Sequence, residues 1–279
     1  MERIRNIFWI KSIKFNLIFV LILIFSLIFL SGCSLLEGLR YNVVTVIGID
    51  NTGSFIRRTD EEKRQVISKI VYDIVKEKAN YQKNDNMAFF RKYLGGIEVS
   101  DMVIICPISY RGIGGVKRFL ICKDDPISLS KSLNFKNPEN VKNLIFPKDE
   151  VPYSRTDFIQ FFKELRSIYG DIERLRVNYI LFTDGVPDPE GNERLSSEEM
   201  STEYLIKTYG KEYIKGLDEL LPEYVKIMFI GVDSNVYEFW KYVLNSMKKE
   251  RKMNIYLVSS YVQPLDKEKI KEISNPYSW

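Results

Sequence analysis

Residues 43–55 read VVTVIGIDNTGSF, an apolar run that ends in three oxygen-bearing side chains, Asp50, Thr52 and Ser54, at alternating positions. One carboxylate and two hydroxyls are hard donors. Such a set suits Mg2+ or Mn2+ and serves Zn2+ or copper poorly. Further along, the run VNYILF leads into Thr183-Asp184-Gly185, and Thr156 follows the segment VPYSR. Three loops therefore offer carboxylates and hydroxyls that could share one ion. Each motif also has a plainer use: Asp50 and Ser54 as loop hydrogen-bonders, Thr156 as a helix cap, Thr183-Asp184-Gly185 as a tight turn. The choice between these uses depends on whether the three loops meet.

The elements that position them can be read from periodicity. From residue 42 onward, short β-rich apolar runs alternate with amphipathic helical patterns. Strands are expected at 42–49, 101–109, 116–122, 225–233 and 254–259, with another starting at 177 and ending in the acidic loop around Asp184. A capping box, Thr59-Asp60-Glu61-Glu62, precedes Val66, Ile67, Ile70, Val71, Ile74 and Val75 at helical spacing. Phe158, Ile159, Phe161, Phe162, Leu165 and Ile168 mark a second helix. A box from Ser196 to Glu199 opens a third, through Leu217 with Gly210 interrupting it. A cap from Asn235 to Glu238 begins a fourth, with Val236, Phe239, Trp240, Val243 and Leu244 on its apolar side. A short charged helix ends the chain. Residues 80–100 and 123–152 lack clear periodicity and read as surface excursions.

Alternating strands and helices predict an α/β fold, Rossmann-like and doubly wound, with a mostly parallel sheet and helices on both faces. The two strands flanking RGIGG, within 101–122, add one antiparallel edge strand. In such open sheets ligands gather beyond the carboxyl ends of the strands, which is where Asp50 and Asp184 stand.

Composition narrows the chemistry. The chain has 279 residues, 45% of them hydrophobic, enough for a real core in one domain. Its net charge of +4 arises mostly in residues 1–32, where Arg3, Arg5, Lys11 and Lys14 face Glu2 alone. The near-neutral remainder gives no reason to expect nucleic acid. There is no histidine, which excludes His-based triads and His-ligated metals. Cys106 and Cys122 lie in strand-like runs, and two readings stand for them: a disulfide between paired strands, or two small buried hydrophobes.

The N-terminus has its own signature. A basic start, MERIRNIFWIKSIK, leads into the apolar run LIFVLILIFSLIFL and then SGCS. That pattern marks an export signal over residues 1–32. Leu30-Ser31-Gly32-Cys33 resembles the lipobox of bacterial lipoproteins, which implies acylation of Cys33 and cleavage before it. Two or more acyl chains anchor a protein durably where one does not. The alternative is an uncleaved membrane anchor with Cys33 incidental. Either way the rest of the chain is expected outside the cytoplasm, tethered to a membrane, with residues 33–41 as the tether.

Over residues 42–260 the chain resembles the von Willebrand factor A (vWA) family with its metal-ion-dependent adhesion site, leaving 261–279 as a C-terminal extension. That site uses Asp-x-Ser-x-Ser after the first strand, a threonine from a second loop and an aspartate from a third. Here the first motif is Asp50-Asn51-Thr52-Gly53-Ser54, with Thr in place of the first Ser. The threonine corresponds to Thr156 and the aspartate to Asp184, within Thr183-Asp184-Gly185. VSDMVIICPIS, residues 99–109, looks like the family's second strand with its leading aspartate. The resemblance implies that Asp50, Thr52, Ser54, Thr156 and Asp184 hold Mg2+ or Mn2+ with one coordination position open to an acidic residue of a partner protein. The sequence departs from the family at Ser154-Arg155, where Gly-Gly is usual, and at Asp233, where glycine is common. Asp233 is read either as a carboxylate behind the ligands or as a cap for the helix that follows.

Two other functions compete. One is a metal-assisted hydrolase or phosphoryl-transfer protein using Asp50; the motif superficially resembles that of haloacid-dehalogenase-like phosphatases, which need Asp-x-Asp, whereas position 52 here is Thr. A metal-independent scaffold with a vestigial site would associate through apolar surface, for example FFRKYL (89–94) or EFWKYV (238–243). No catalytic residue, nucleic acid or small-molecule substrate is expected.

Overall fold

Side chains along Asn42–Asp50 (β1) alternate between two apolar faces, so this strand needs cover on both sides. Val44 and Val46 enter one core with Val177, Tyr179, Leu181, Ile227 and Phe229. Ile47 and Ile49 enter the other with Val103, Ile105, Ile180, Phe182 and Ile230. A strand buried on both faces belongs in the middle of a parallel sheet. The computed structural model describes residues 42–83, 101–109, 121–124, 126–148, 156–170, 172, 175–187, 201–232, 234–247, 252–258 and 265–274, and puts β1 in that place.

Among these residues the sheet has six strands. After β1 come Asp101–Ile108 (β2), Ile121–Asp124 (β3), Leu175–Phe182 (β4), Tyr224–Ile230 (β5) and Lys252–Val258 (β6). Their order is β3-β2-β1-β4-β5-β6. All neighbours run parallel except β2 and β3, which run antiparallel at one edge. This is the expected doubly wound sheet with one antiparallel edge strand. The second strand of the edge pair is described only from Ile121, later than the expected 116.

Helices cover both faces. On one face lie Phe158–Tyr169 (α5), Thr202–Leu205 (α6), Lys211–Leu220 (α7) and Ser234–Asn245 (α8), with Phe158, Phe161, Phe162, Leu165, Leu217 and Trp240 in the core. The other face carries Gly53–Arg58 (α1), Glu61–Lys83 (α2), Pro126–Lys131 (α3), Pro138–Ile145 (α4) and Lys267–Ser274 (α9). The helix that follows β1 packs on one face and the helix that leads into β4 packs on the other. The crevice between the carboxyl ends of β1 and β4 is therefore the topological switch point, the usual ligand site of such sheets.

Several local expectations need correction. Residues 123–152 are no loose excursion: α3, a 3-10 turn at Leu133–Phe135, and α4 occupy much of them. Each piece is too short to display a helical period, and each buries only one or two apolar side chains, Leu129, Phe135, Val141 and Ile145. Asn137 caps α4 by accepting from Asn140 N–H at 2.9 Å, with Pro138 in the first turn. Residues 80–83 likewise belong to α2.

Caps also shift. Asp60, not Thr59, accepts the Lys63 N–H at 2.9 Å, while the Thr59 hydroxyl donates to the Phe55 carbonyl. Ser201 caps the helix expected from Ser196, and that helix runs through a π turn at Ile206–Gly210 and on to Leu220. Asn235 lies inside α8, which begins at Ser234. In each case several polar residues precede the apolar stripe, and only backbone geometry selects the one that caps.

The C-terminal helix α9 packs on α2, with Ile270 buried and Ser274 donating to the Ile74 carbonyl. Cys106 is a buried thiol on β2, as the second reading of the cysteines has it for this residue. The side chain of Cys122, residues 1–41 with Cys33, the Ser196–Glu199 box, Ser154-Arg155, FFRKYL and Asp233 lie outside the described residues. Among the described residues no helix is long and apolar enough to cross a membrane.

Candidate metal centre

Two strand ends are stitched to their neighbours by backbone bonds. Asn51 N–H donates to the Ile108 carbonyl at 3.1 Å, joining the end of β1 to that of β2. Thr183 N–H donates to the Ile230 carbonyl at 3.0 Å, joining the end of β4 to that of β5. With β1 and β4 adjacent, Asp50 and Thr183-Asp184 come together at the switch point.

Side chains complete the link. The Thr183 hydroxyl donates to Asp50 Oδ2 at 2.6 Å, and Thr52 N–H donates to Asp50 Oδ1 at 2.9 Å. Thr52 Oγ1 and Ser54 Oγ are hydrogen-bonded at 3.2 Å, so the two hydroxyls of the first motif lie side by side. The Val186 N–H donates to Asp184 Oδ1 at 3.1 Å, and the Gly185 N–H to Thr183 Oγ1 at 2.8 Å. Asp50, Thr52, Thr183 and Asp184 are buried, while Ser54 is half-buried and stands in the first turn of α1.

Thr156 is also buried, 3% exposed, just before α5. The helix is capped by Asp157, which accepts the Gln160 N–H at 2.9 Å. The plainer alternative for Thr156, a helix cap, is thus overturned, because the adjacent carboxylate takes that role. Two residues on, the ring of Phe158 meets Trp240 edge-on at 5.0 Å, and Trp240 Nε1 donates to the Gly185 carbonyl at 2.8 Å. The Thr156 loop and the Asp184 loop are thereby tied to one indole.

Electrostatics make the cluster costly by itself. Burial pushes the Asp50 carboxyl up to about 7, and the nearby charge of Asp184 adds to the rise. The hydrogen bonds from Thr183 and Thr52 pull the other way without restoring the ordinary value. Two buried carboxylates in mutual repulsion require either a retained proton or a cation. Asn51, 6% exposed between Asp50 and Thr52, adds a buried amide Nδ2 with no hydrogen-bond partner among the described residues. A turn that existed only to satisfy its own groups would have neither feature.

The donor set fits a hard divalent cation. Among the described residues no three His, Cys, Asp or Glu side chains cluster, so a soft or all-carboxylate site is absent. What the strand ends hold instead is two carboxylates and neighbouring hydroxyls, the oxygen chemistry that Mg2+ and Mn2+ prefer.

Sequence reasoning missed two participants. The hydroxyl of Thr183, read only as part of a turn motif, is a direct partner of Asp50. Trp240, read only as a core residue of its helix, reaches the loop after β4. Thr183 had a signal, a hydroxyl beside a strand-end aspartate. Trp240 had none, since 55 residues separate it from its acceptor.

Comparison with known proteins adds likenesses of shape. No family model matches the chain, and no curated protein does. Among solved structures the chain is similar to BatB, a conserved hypothetical protein from Bacteroides thetaiotaomicron, at 11% identity and a TM-score of 0.46, covering 85% of this chain and 98% of that one. It is similar to the SpRpn10 VWA domain at 11% identity and a TM-score of 0.41, covering 83% and 93%. It is similar to proximal thread matrix protein 1 from the mussel byssus at 16% identity and a TM-score of 0.39; 85% of this chain is covered but 47% of that one, so this chain spans about half of it. At such identities function has to be argued from the site.

Proposed function

We propose that this protein is a membrane-tethered interaction module whose strand-end cluster holds Mg2+ or Mn2+ and engages an acidic residue of a partner protein. The observation behind the reading is the pair of buried carboxylates, Asp50 and Asp184, close enough for one to raise the other and backed by hydroxyls. Asp50, Thr52, Ser54, Thr156 and Asp184 are the residues that would hold the ion. When bound, the ion supplies a Lewis-acidic position that accepts a carboxylate oxygen.

The chain's own groups prepare that position. Thr183 and the Thr52 N–H occupy both oxygens of Asp50, which orients the carboxylate and leaves the hydroxyls of Thr52 and Ser54 as neutral donors. Neutral ligands leave more of the ion's charge unspent, and that favours an anionic partner. The role proposed is binding and not catalysis, in keeping with a chain that has no histidine to serve as a base.

The tether rests on a separate observation, the apolar run before Leu30-Ser31-Gly32-Cys33. In this reading Cys33 is acylated and the folded part faces outward from the membrane. Substituting Cys33→Ala should abolish fatty-acid labelling and leave the signal uncleaved, so that the chain runs larger than wild type; retention of the label would refute the assignment.

Isothermal titration with Mg2+ and Mn2+ tests the metal. The wild-type chain should take up one equivalent and Asp184→Ala none. Uptake of neither ion by the wild type would end the proposal. Partner capture from intact cells, with and without EDTA and with Thr156→Ala as control, should show a chelator-sensitive partner lost in the variant. A partner retained under both conditions would favour the metal-independent scaffold.

A further inference from the structure

We infer that Trp240 is a positioning residue for the metal centre: its indole N–H fixes the peptide planes that orient both carboxylates, Asp50 and Asp184. The inference rests on the metal reading above and extends it to a residue 55 positions away.

The geometry runs through two successive peptide groups. The Gly185 carbonyl and the Val186 N–H belong to one plane. Its oxygen accepts from Trp240 Nε1 at 2.8 Å, and its N–H donates to Asp184 Oδ1 at 3.1 Å. Holding the oxygen end of a rigid peptide plane also sets its N–H end. The preceding plane ends in the Gly185 N–H, which donates at 2.8 Å to Thr183 Oγ1, and that hydroxyl donates at 2.6 Å to Asp50 Oδ2. One indole therefore governs both acids through one hinge residue.

The hinge has little freedom. Gly185 sits at φ +74°, and a Cβ there would lie 2.4 Å from Val232 Cγ1 and 3.2 Å from the indole nitrogen itself. Only glycine lets the chain pass this close to the ring. Trp240 is equally confined: it is 1% exposed, stacked on Phe229 at 4.8 Å, and met edge-on by Phe158 and Tyr213 at 5.0 and 5.6 Å. Hydrophobic packing alone would place a phenylalanine here as well. The N–H aimed at the loop is what tryptophan adds, and a buried donor of this kind is retained when it has a partner to hold. Through Phe158 the same ring braces the helix that follows Thr156. The ring thus touches the loop after β4 directly and the helix after Thr156 through Phe158, and reaches the Asp50 loop only through Thr183.

Groups that orient ligands without touching the ion set its affinity. The test uses the full chain and three proteins: wild type, Trp240→Phe, and Val225→Ala. Val225 is a fully buried core residue at the opposite end of β5. Trp240→Phe should weaken Mg2+ binding by roughly tenfold to a hundredfold, as losses behind a metal ligand do. Val225→Ala should lower thermal stability yet bind within about twofold of wild type, because distant sites act independently. Folded Trp240→Phe with wild-type affinity would overturn the inference and leave the metal reading standing. A wild type that binds no Mg2+ would overturn both.

A second measurement needs no variant to fold. In the 15N-tryptophan-labelled wild type, the Trp240 indole N–H resonance should be protected from exchange and should shift when Mg2+ saturates the site. A residue that only fills the core would keep its resonance unmoved, and that result would refute the positioning role.

Discussion

Two buried polar pairs meet at β4, one inside the core through Tyr179 and one past its carboxyl end through Asp184, and they are resolved in opposite ways. Tyr169 and Tyr179 share a hydrogen bond inside the core, with the Phe162 ring edge-on to Tyr179 at 5.0 Å. Burial raises both phenols above their ordinary range, so both stay neutral and each satisfies the other. Asp50 and Asp184 at the strand ends are also buried, but like charges cannot satisfy one another. The tyrosine pair is complete within the protein. The aspartate pair is complete only with a proton or a cation, so the difference between the pairs separates structure from function.

The sharpest way to break this contrast is to remove the repulsion. Asp184→Asn keeps an acceptor for the Val186 N–H but loses the charge beside Asp50. It should cut Mg2+ affinity by roughly a hundredfold or more, as loss of a charged ligand from a small hard site does. In the metal-free state at pH 7.5 it should be more stable than wild type, with a higher midpoint in urea. Lower stability would show that Asp184 serves the fold and not the ion.

Next in size is a pH effect with a defined sign. The folded Asp50 holds a proton up to about pH 7, whereas its ordinary value is 3.8. Between these values the folded state binds a proton that the unfolded chain has released, so metal-free stability falls as pH rises through this window. Below about pH 4 the contribution is fully present, and above about pH 7 it is lost. Saturating Mg2+ should flatten or reverse the slope, since an ion that binds only the folded state stabilises it. Urea titrations at pH 5 and 7.5, with and without Mg2+, measure both slopes; identical slopes would remove the cation from the account.

The tyrosine arm gives the smaller effects. Tyr179→Phe leaves the Tyr169 hydroxyl buried without its partner and should cost about 1–3 kcal/mol. Adding Tyr169→Phe should recover most of that loss, because replacing both partners by apolar groups is nearly neutral. Neither change should alter Mg2+ affinity. If either does, the two pairs are coupled through β4, and the division between them fails.

Legibility differed across the molecule for physical reasons. Asp50, Thr52, Ser54 and Asp184 were legible because each follows a long apolar run, and a strand that ends in acid is a local pattern. Long amphipathic helices such as Glu61–Lys83 were legible because several turns repeat one stripe. Helices α3 and α4 were not, since a single turn or two cannot display a period. For Thr156 the plainer alternative, a helix cap, was not separable in sequence from the ligand role, because Thr156 and Asp157 are both good caps and only the backbone chooses Asp157. Trp240 looked like any core aromatic, and the acceptor that distinguishes it is a carbonyl with no side-chain signature.

The sequence by itself determined the alternation of strand and helix, the doubly wound class and the oxygen chemistry at the strand ends, because periodicity and residue type are local properties. The tertiary structure alone decided that Asp50 and Asp184 share one buried crevice, that the Thr183 hydroxyl bonds Asp50 across it, and that an indole from a later helix bonds the loop after β4. Those are contacts across 133 and 55 residues of chain. Such contacts depend on strand order, and strand order is a property of the packed sheet and not of any one segment.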